Sequence, residues 1–390
     1  MSLIIDRPAR PNGLYFVVDS RTRYDREIQD AKGETQVFKN WAYGIKALGR
    51  AGWAGVTRIA LYDYLQDAGA VDKAVRRSEL TSFLKAEKPR MTLLLKPRSS
   101  RSRDKERDIE ENKGLKGHQA WIAAHAPASL EDIGGAVFDA PWGPTIGLLN
   151  PINNDFSYSE LVRRHLLGAH AFATGRLKLL EPPKIAFMPG DPNMWEFVRH
   201  VSRLATAGVP ISVDIETVPS TKAITAIGLA AGDFAICCPW DAFPIAGGSR
   251  IEPAGPSELR RAFSDIIASS APKVFHNGID FDVPYLHSLG YTVGGYIHDT
   301  MATCAAASNQ WPKGLQKAVA AEFLIPAWKS YHADARYDLD DDRAWTSNPE
   351  HLREYCAKDA WYDNQLFLAH AYKIGIMPDV RASREIGLAK

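Results

Sequence analysis

Apolar positions in the first half of the chain fall in short runs, at 14–18, 56–62, 91–96 and 144–150, with longer stretches of mixed character between them. Runs of this length predict strands, and their alternation with helix-like stretches predicts an α/β domain. Beyond a Pro-rich joint at 181–183 the pattern passes through a short strand into a helix by about 205. "ISVDIET" at 211–217 then alternates as a strand does, and 223–231 and 233–240 read as two more, which together predict a three-strand meander. Helical apolar spacing at 256–269 leads to a short strand at 273–277. Helices are expected near 281–289, 300–307, 314–323 and 349–372.

A chain of 390 residues is long for one core at the usual ~100–200 residues per domain. Two domains are expected, 1–205 and 206–390, with the boundary near 205 and the short strand and helix before it assignable to either side. With 45% hydrophobic and 24% charged residues the composition is that of a folded chain rather than a disordered one. A net charge of +1 rules out a simple polybasic coat, but local clusters remain. Between residues 73 and 116 Lys and Arg outnumber acids about two to one, and "KPRSSRSRDKERD" at 96–108 has no apolar residue. That run is expected to be an exposed loop. Either it is simply solvated, or Arg98, Arg101 and Arg103 contact nucleic-acid phosphates.

The four cysteines, Cys237, Cys238, Cys304 and Cys356, show no CxxC spacing and read as reduced, buried thiols. Charges at Asp6 and Arg7 interrupt the N-terminus before a secretory signal could form, and the longest apolar runs fall far short of the ~20 residues that span a bilayer. A cytoplasmic protein that does not enter a membrane is expected.

Three short segments carry candidate chemistry. In "VDIET" the acids Asp214 and Glu216 are one residue apart on a strand, so both carboxylates lie on one face, where a cation would offset their repulsion. In "HNGIDFDVPYL" at 276–286 a strand ends in the turn His276–Asn277–Gly278, and Asp282 enters the first turn of a helix. Asp280 is the rival acid there. In "YCAKDAWYDNQLF" at 355–367, Tyr355 and Asp359 are four apart on a helix and share a face. Each segment alone is commonplace.

Their order and setting resemble the DnaQ-like 3′–5′ exonucleases of the DEDD superfamily, Tyr-containing (DEDDy) branch. The likeness is nearest to the proofreading domains of phage family A DNA polymerases, where an HNG turn also leads to an aromatic–Asp pair, "VP" and Leu. It covers about residues 206–375 and includes the connecting stretches 298–307 and 314–329, which look like the family's helices. The resemblance implies a ribonuclease H-like fold and selects Asp282 over Asp280. It also implies two Mg²⁺ or Mn²⁺ ions about 3.5–4 Å apart on the scissile phosphate. Asp214 would bridge both ions, Glu216 and Asp359 would complete the nucleophile-side site, and Asp282 would act largely through water. Tyr355, at an unperturbed pKa near 10, would orient the attacking water, and Thr217, His276 and Asn277 would contact the terminal nucleotide. Hard oxygen ligands suit these ions, and no His or Cys cluster suggests zinc.

A DNA substrate is expected, with single-stranded or frayed ends preferred. RNA 3′-end trimming and non-catalytic nucleic-acid binding by a retained fold are the alternatives. About 30 residues follow Asp359, so no polymerase is expected in cis, and the protein would act alone or beside a separate polymerase or repair protein. The stretch 47–62, placed before such an exonuclease, resembles the uracil-DNA glycosylase-like domains fused to some phage exonucleases. Their Gly-rich entrance motif and His-Pro-Ser loop are missing, with "LLNPIN" at 148–153 where the loop would fall. A DNA-positioning or partner-binding domain without glycosylase activity is therefore expected.

Overall fold

The computed structural model describes residues 4–19, 42–61, 70–95, 134–148, 156–245, 251–307, 312–329, 342 and 346–373. The basic run 96–108, with Arg98, Arg101 and Arg103, lies outside them, as does most of "LLNPIN". The chain divides into two compact units, Met1–Leu180 with Phe323–Ala327, and Glu181–Glu322 with Trp328–Lys390. Both are mixed α/β.

Among its described residues the first unit has six strands, β1 (Ile4–Asp6), β2 (Leu14–Asp19), β3 (Thr57–Leu61), β4 (Met91–Leu95), β5 (Val137–Ala140) and β6 (Gly143–Leu148). They form one sheet of order β1-β3-β2-β4-β6-β5. The inner four are parallel, and the two edge strands run antiparallel to their neighbours. Helices α1 (Ala42–Ala54), α2 (Ala70–Glu87) and α3 (Phe156–Ala173) accompany the sheet. Phe16, Trp53, Leu93, Ile146 and Leu166 belong to its core. An open strand edge invites unwanted pairing. Here β5 is covered by the 323–327 segment, as Val137 N donates to Ile325 O at 2.8 Å and Ala327 N donates to Val137 O at 2.6 Å.

The second unit begins with β7 (Lys184–Ala186) and α4 (Met194–Thr206), the strand and helix that the sequence left between the two halves. The expected meander is β8 (Ile211–Thr217), β9 (Ile224–Ala231) and β10 (Phe234–Pro239), antiparallel throughout. After a two-stranded hairpin, β11 (Phe243–Pro244) with β12 (Ile251–Glu252), come α5 (Ser257–Ala268), β13 (Lys273–Phe275) and α6 (Asp282–Ser288). Then follow β14 (Ile297–Asp299), α7 (Thr300–Ala307), α8 (Leu315–Glu322) and the long α9 (Pro349–Lys373). The sheet order is β14-β13-β8-β9-β10-β7, with β13 parallel to both β8 and β14.

Strand β8 divides its side chains by face, as a pleated strand must. Ile211, Val213 and Ile215 enter the apolar core with Val201 of α4 and Phe263 of α5. Ser212, Asp214 and Glu216 take the other face, where Ser212 Oγ donates to Asp363 of α9. Every residue of β9 is buried, which explains its unbroken apolar run. Helix α9 is buried on nearly every side, its polar Asp359, Asp363, Asn364 and Gln365 included. Trp361 Nε1 donates to Gly232 O at 3.0 Å and Asn364 Nδ2 donates to Pro210 O at 3.2 Å, tying the helix to the ends of two strands.

Gly228 sets how closely α9 approaches. It pairs with Asp214 across β8 and β9, and a Cβ there would meet the Cys356 carbonyl oxygen at 2.5 Å. Backbone on both sides cannot yield cheaply. Gly228→Ala is expected to destabilise the protein by about 1–3 kcal/mol through overpacking, read as a lower urea midpoint. An unchanged midpoint would show that α9 does not press on β9 as closely as this.

Candidate active site

Strand β8 and helix α9 bring the polar stripe of one against the polar stripe of the other. Asp214 and Glu216 project from β8. From α9 come Tyr355, Asp359 and Asp363, spaced by four and so on one helix face. Donor atoms of Asp214, Glu216 and Cys356 lie within 4.8 Å of one another. Glu216, Asp282, Asp359 and Tyr355 are all buried.

Charge of one sign concentrated in this way is costly. Burial pushes the Asp214 carboxyl well above the usual carboxylate range, and Glu216, Asp359 and Asp282 push it further. Glu216 is raised likewise by burial and then by Asp359. Asp282 is raised to about 7, chiefly by burial. The sequence led us to expect Tyr355 at its ordinary value. Instead burial, with Asp359 next, holds the phenol well above 10, so it stays protonated throughout the physiological range.

The cation amid these acids is Lys329, which the sequence did not single out. Its Nζ donates to Asp359 Oδ2 at 2.5 Å and to the Tyr355 hydroxyl at 2.7 Å, and lies 4.8 Å from the centre of the Tyr355 ring. Burial opposes its charge most strongly, but Asp359, Asp214 and Glu216 together outweigh burial and raise its pKa. The other Asp359 oxygen accepts from Trp328 Nε1 at 2.5 Å, and the Trp328 ring stacks on Tyr362 with centroids 4.0 Å apart. The stretch 314–329 was expected to be a connecting helix. Only Leu315–Glu322 is α-helical, and Pro326 precedes Trp328 and Lys329. A Pro ahead of a Trp-Lys pair was the available signal.

Asp282 sits at the first position of α6, and its Oδ1 accepts from Ile215 N at 3.2 Å. Strand β13 pairs with β8 only at Ile211 and Ser212, so this carboxylate serves a backbone donor that the ladder no longer reaches. Asp280 shows no such tie among the described bonds. The turn before α6 is organised by Asp299, another residue the sequence reading passed over. Its carboxylate accepts from Asn277 N at 3.2 Å, Ile279 N at 3.1 Å and, at the start of α7, Met301 N at 2.9 Å. Asn277 adopts a left-handed φ of 68°, which Asn tolerates better than most residues.

His276 differs from expectation. One ring nitrogen meets Thr300 Oγ1 at 2.9 Å and the other meets Lys313 O at 2.6 Å. It props the turn and has no spare ring nitrogen for a nucleotide. Burial lowers its pKa, so the ring is neutral: Nε2 donates to Lys313 O and Nδ1 accepts from Thr300. Thr300 Oγ1 is also hydrogen-bonded with Asp363, whose carboxyl is raised to about 8 by burial. Thr217 is half-buried at a register shift next to Glu216.

These residues fit a hard divalent cation. Asp214 Oδ2 is buried with no hydrogen-bond partner among the described residues, a position a metal would satisfy. Burial holds the Cys356 thiol far above its ordinary pKa, and it donates to Asp214 O at 3.6 Å. The remaining donors are carboxylate oxygens, which suit Mg²⁺ or Mn²⁺.

No family model matches the sequence, and no curated protein matches it. Among solved structures the chain is similar to Escherichia coli RNase D, an exoribonuclease involved in structured RNA processing, with a TM-score of 0.32 and 17% identity over 54% of this chain and 49% of that one. It is similar to a protein from Bifidobacterium adolescentis, with a TM-score of 0.32 and 19% identity over 50% and 45%. A third is the EXD2 exonuclease domain soaked in Mn and GMP, with a TM-score of 0.24 and 16% identity over 49% and 90%. The match spans about half the length of the first two.

Asp363 generates a pH prediction. An Asp that titrates near 4 unfolded and near 8 folded binds more protons in the folded state between those values, so stability falls as pH rises through that window. Asp363→Asn removes this dependence while keeping a donor and an acceptor for Thr300 and Ser212. The variant should match the parent near pH 4 and exceed it by about 1 kcal/mol or more at pH 8, measured by urea unfolding. Parallel pH profiles would contradict a protonated Asp363.

Proposed function

We propose that the chain is a metal-dependent 3′–5′ exonuclease that hydrolyses DNA phosphodiester bonds, working inward from single-stranded or frayed ends. The observation that carries this is the convergence of Asp214, Glu216 and Asp359 on one buried spot, with Asp214 Oδ2 unpartnered and a protonated Tyr355 alongside. Acids buried together at a cost in stability, beside a group able to position water, are what phosphodiester hydrolysis needs.

A pair of Mg²⁺ or Mn²⁺ ions would neutralise charge on the phosphate and lower the pKa of a water. Asp214, Glu216 and Asp359 would hold them, with Asp282 steadying the end of β8 through Ile215 N and contributing through water. Tyr355 keeps its proton and would orient the attacking water by a hydrogen bond. Thr217 and Asn277, flanking the acids in sequence, would meet the terminal nucleotide. The likeness of "HNGIDFDVPYL" to polymerase proofreading domains favours DNA as the substrate. The first unit would grip or target it, with Arg98, Arg101 and Arg103 meeting phosphates.

One assay tests this. DNA and RNA oligonucleotides labelled at the 5′ end are incubated with the protein and Mg²⁺, Mn²⁺ or EDTA. DNA should shorten stepwise from its 3′ end, EDTA should stop it, and Asp214→Ala should slow it by roughly a hundredfold or more, beyond the effect typical of an outer-shell residue. Preferential shortening of RNA would replace the DNA reading with RNA trimming. Binding without any metal-dependent shortening would leave a nucleic-acid-binding protein and no enzyme.

A further inference from the structure

We propose that Lys329 is a built-in counter-ion that holds the acid cluster together and is displaced when a divalent cation binds, so that its ammonium and the metal compete for Asp359. This rests on the metal site proposed above.

Both oxygens of Asp359 are already taken by protein donors, Oδ1 by Trp328 and Oδ2 by Lys329, each at 2.5 Å. Each oxygen keeps a second lone pair, but a divalent cation on Asp359 would lie against the like charge of the ammonium, which therefore has to move away. Trp328 is buried to 4% exposure and stacked on Tyr362, so moving its indole would open the core. Lys329 is the one able to go. Its side chain is 29% exposed, its stem has four rotatable bonds, and an ammonium regains its hydration outside. Its backbone meanwhile stays fixed, because Lys329 N donates to Gln316 Oε1 at 2.8 Å and Gln316 is buried. The exchange is thus a side-chain swing about a held main chain.

The swing changes more than Asp359. Nζ also donates to the Tyr355 hydroxyl at 2.7 Å, so that hydroxyl's oxygen is occupied while Lys329 is in place. Departure removes the ammonium from both Asp359 Oδ2 and the phenol in one step, coupling metal entry to a change at the tyrosine. Before entry, the ammonium offsets Asp214 and Glu216 as well as Asp359, which lets these three acids sit together in a folded chain without metal.

Mn²⁺ binding to the full chain, followed by the electron paramagnetic resonance signal of free Mn²⁺, tests the exchange. If the ammonium occupies Asp359 about nine-tenths of the time, Lys329→Met should bind Mn²⁺ roughly tenfold more tightly. The same variant should melt lower than the parent in EDTA and recover with Mn²⁺. Lys358→Met is the control for charge alone: Lys358 neighbours Asp359 in sequence but pairs with Glu354 at 2.6 Å, and its loss should change affinity by no more than about twofold.

Unchanged or weaker Mn²⁺ binding by Lys329→Met overturns the proposal, as does an equal gain in Lys358→Met. A Lys329→Met chain unfolded in EDTA but folded by Mn²⁺ upholds it; one unfolded in both overturns it. No Mn²⁺ binding by the parent overturns this proposal and the metal site together. Competition without oligonucleotide shortening removes only the nuclease reading, and shortening without competition removes only this one.

Discussion

Buried like charge is the constraint on which the second unit turns. Strand β8 presents Ser212, Asp214 and Glu216 to a helix that answers with Tyr355, Asp359 and Asp363, and the seam between them is closed to bulk solvent over much of its length. Desolvation alone would drive such acids to protonate, and the carboxyls of Asp214, Glu216, Asp282 and Asp363 are all pushed upward by it. Two solutions operate side by side. At the inner end Asp363 keeps its proton and joins a neutral hydrogen-bonded chain through Thr300 to His276. At the outer end an ammonium, Lys329, sits against Asp359 and Tyr355. The first is a finished structural solution; the second leaves Asp214 Oδ2 without a hydrogen-bond partner among the described residues.

The surrounding framework serves the closeness of that seam. Gly228 lacks the side chain that would hold α9 away from Asp214, and hydrogen bonds from Trp361 and Asn364 fix the helix along the sheet. On the far side, Asp299 gathers the backbone donors of the 276–279 turn, and the turn delivers Asp282 to the end of β8. A carboxylate aimed at a backbone N–H is pre-oriented, which is how a site keeps its shape before any ligand arrives.

Much of this was legible in the sequence, for identifiable reasons. The period of two in "ISVDIET" placed Asp214 and Glu216 on one face, and the spacing of four placed Tyr355 with Asp359. The meander and α5 followed from apolar periodicity. What escaped was polar and buried. Asp363 continues the Tyr355–Asp359 spacing by one more step of four, but an extra acid on a helix reads as surface until the helix is known to be enclosed. Asp299 lies in a three-residue strand, β14, too short to show a period. Lys329 lies far from Asp359 in sequence and meets it only through tertiary structure, and the stretch before it looked helical until Pro326 is given its due. The contacts of His276 with Thr300 and Lys313 were not legible, because a turn histidine facing a site and one supporting it have the same sequence.

The central claim is that the Asp214–Glu216–Asp359 cluster is a seat for a hard divalent cation, held meanwhile by Lys329. Anomalous diffraction from crystals soaked in Mn²⁺ tests it most directly. The account predicts a manganese peak within about 2.0–2.3 Å of carboxylate oxygens of Asp214 and Glu216, with Lys329 Nζ withdrawn from Asp359. Crystals that take up no manganese there, with Lys329 still seated on Asp359, would contradict it.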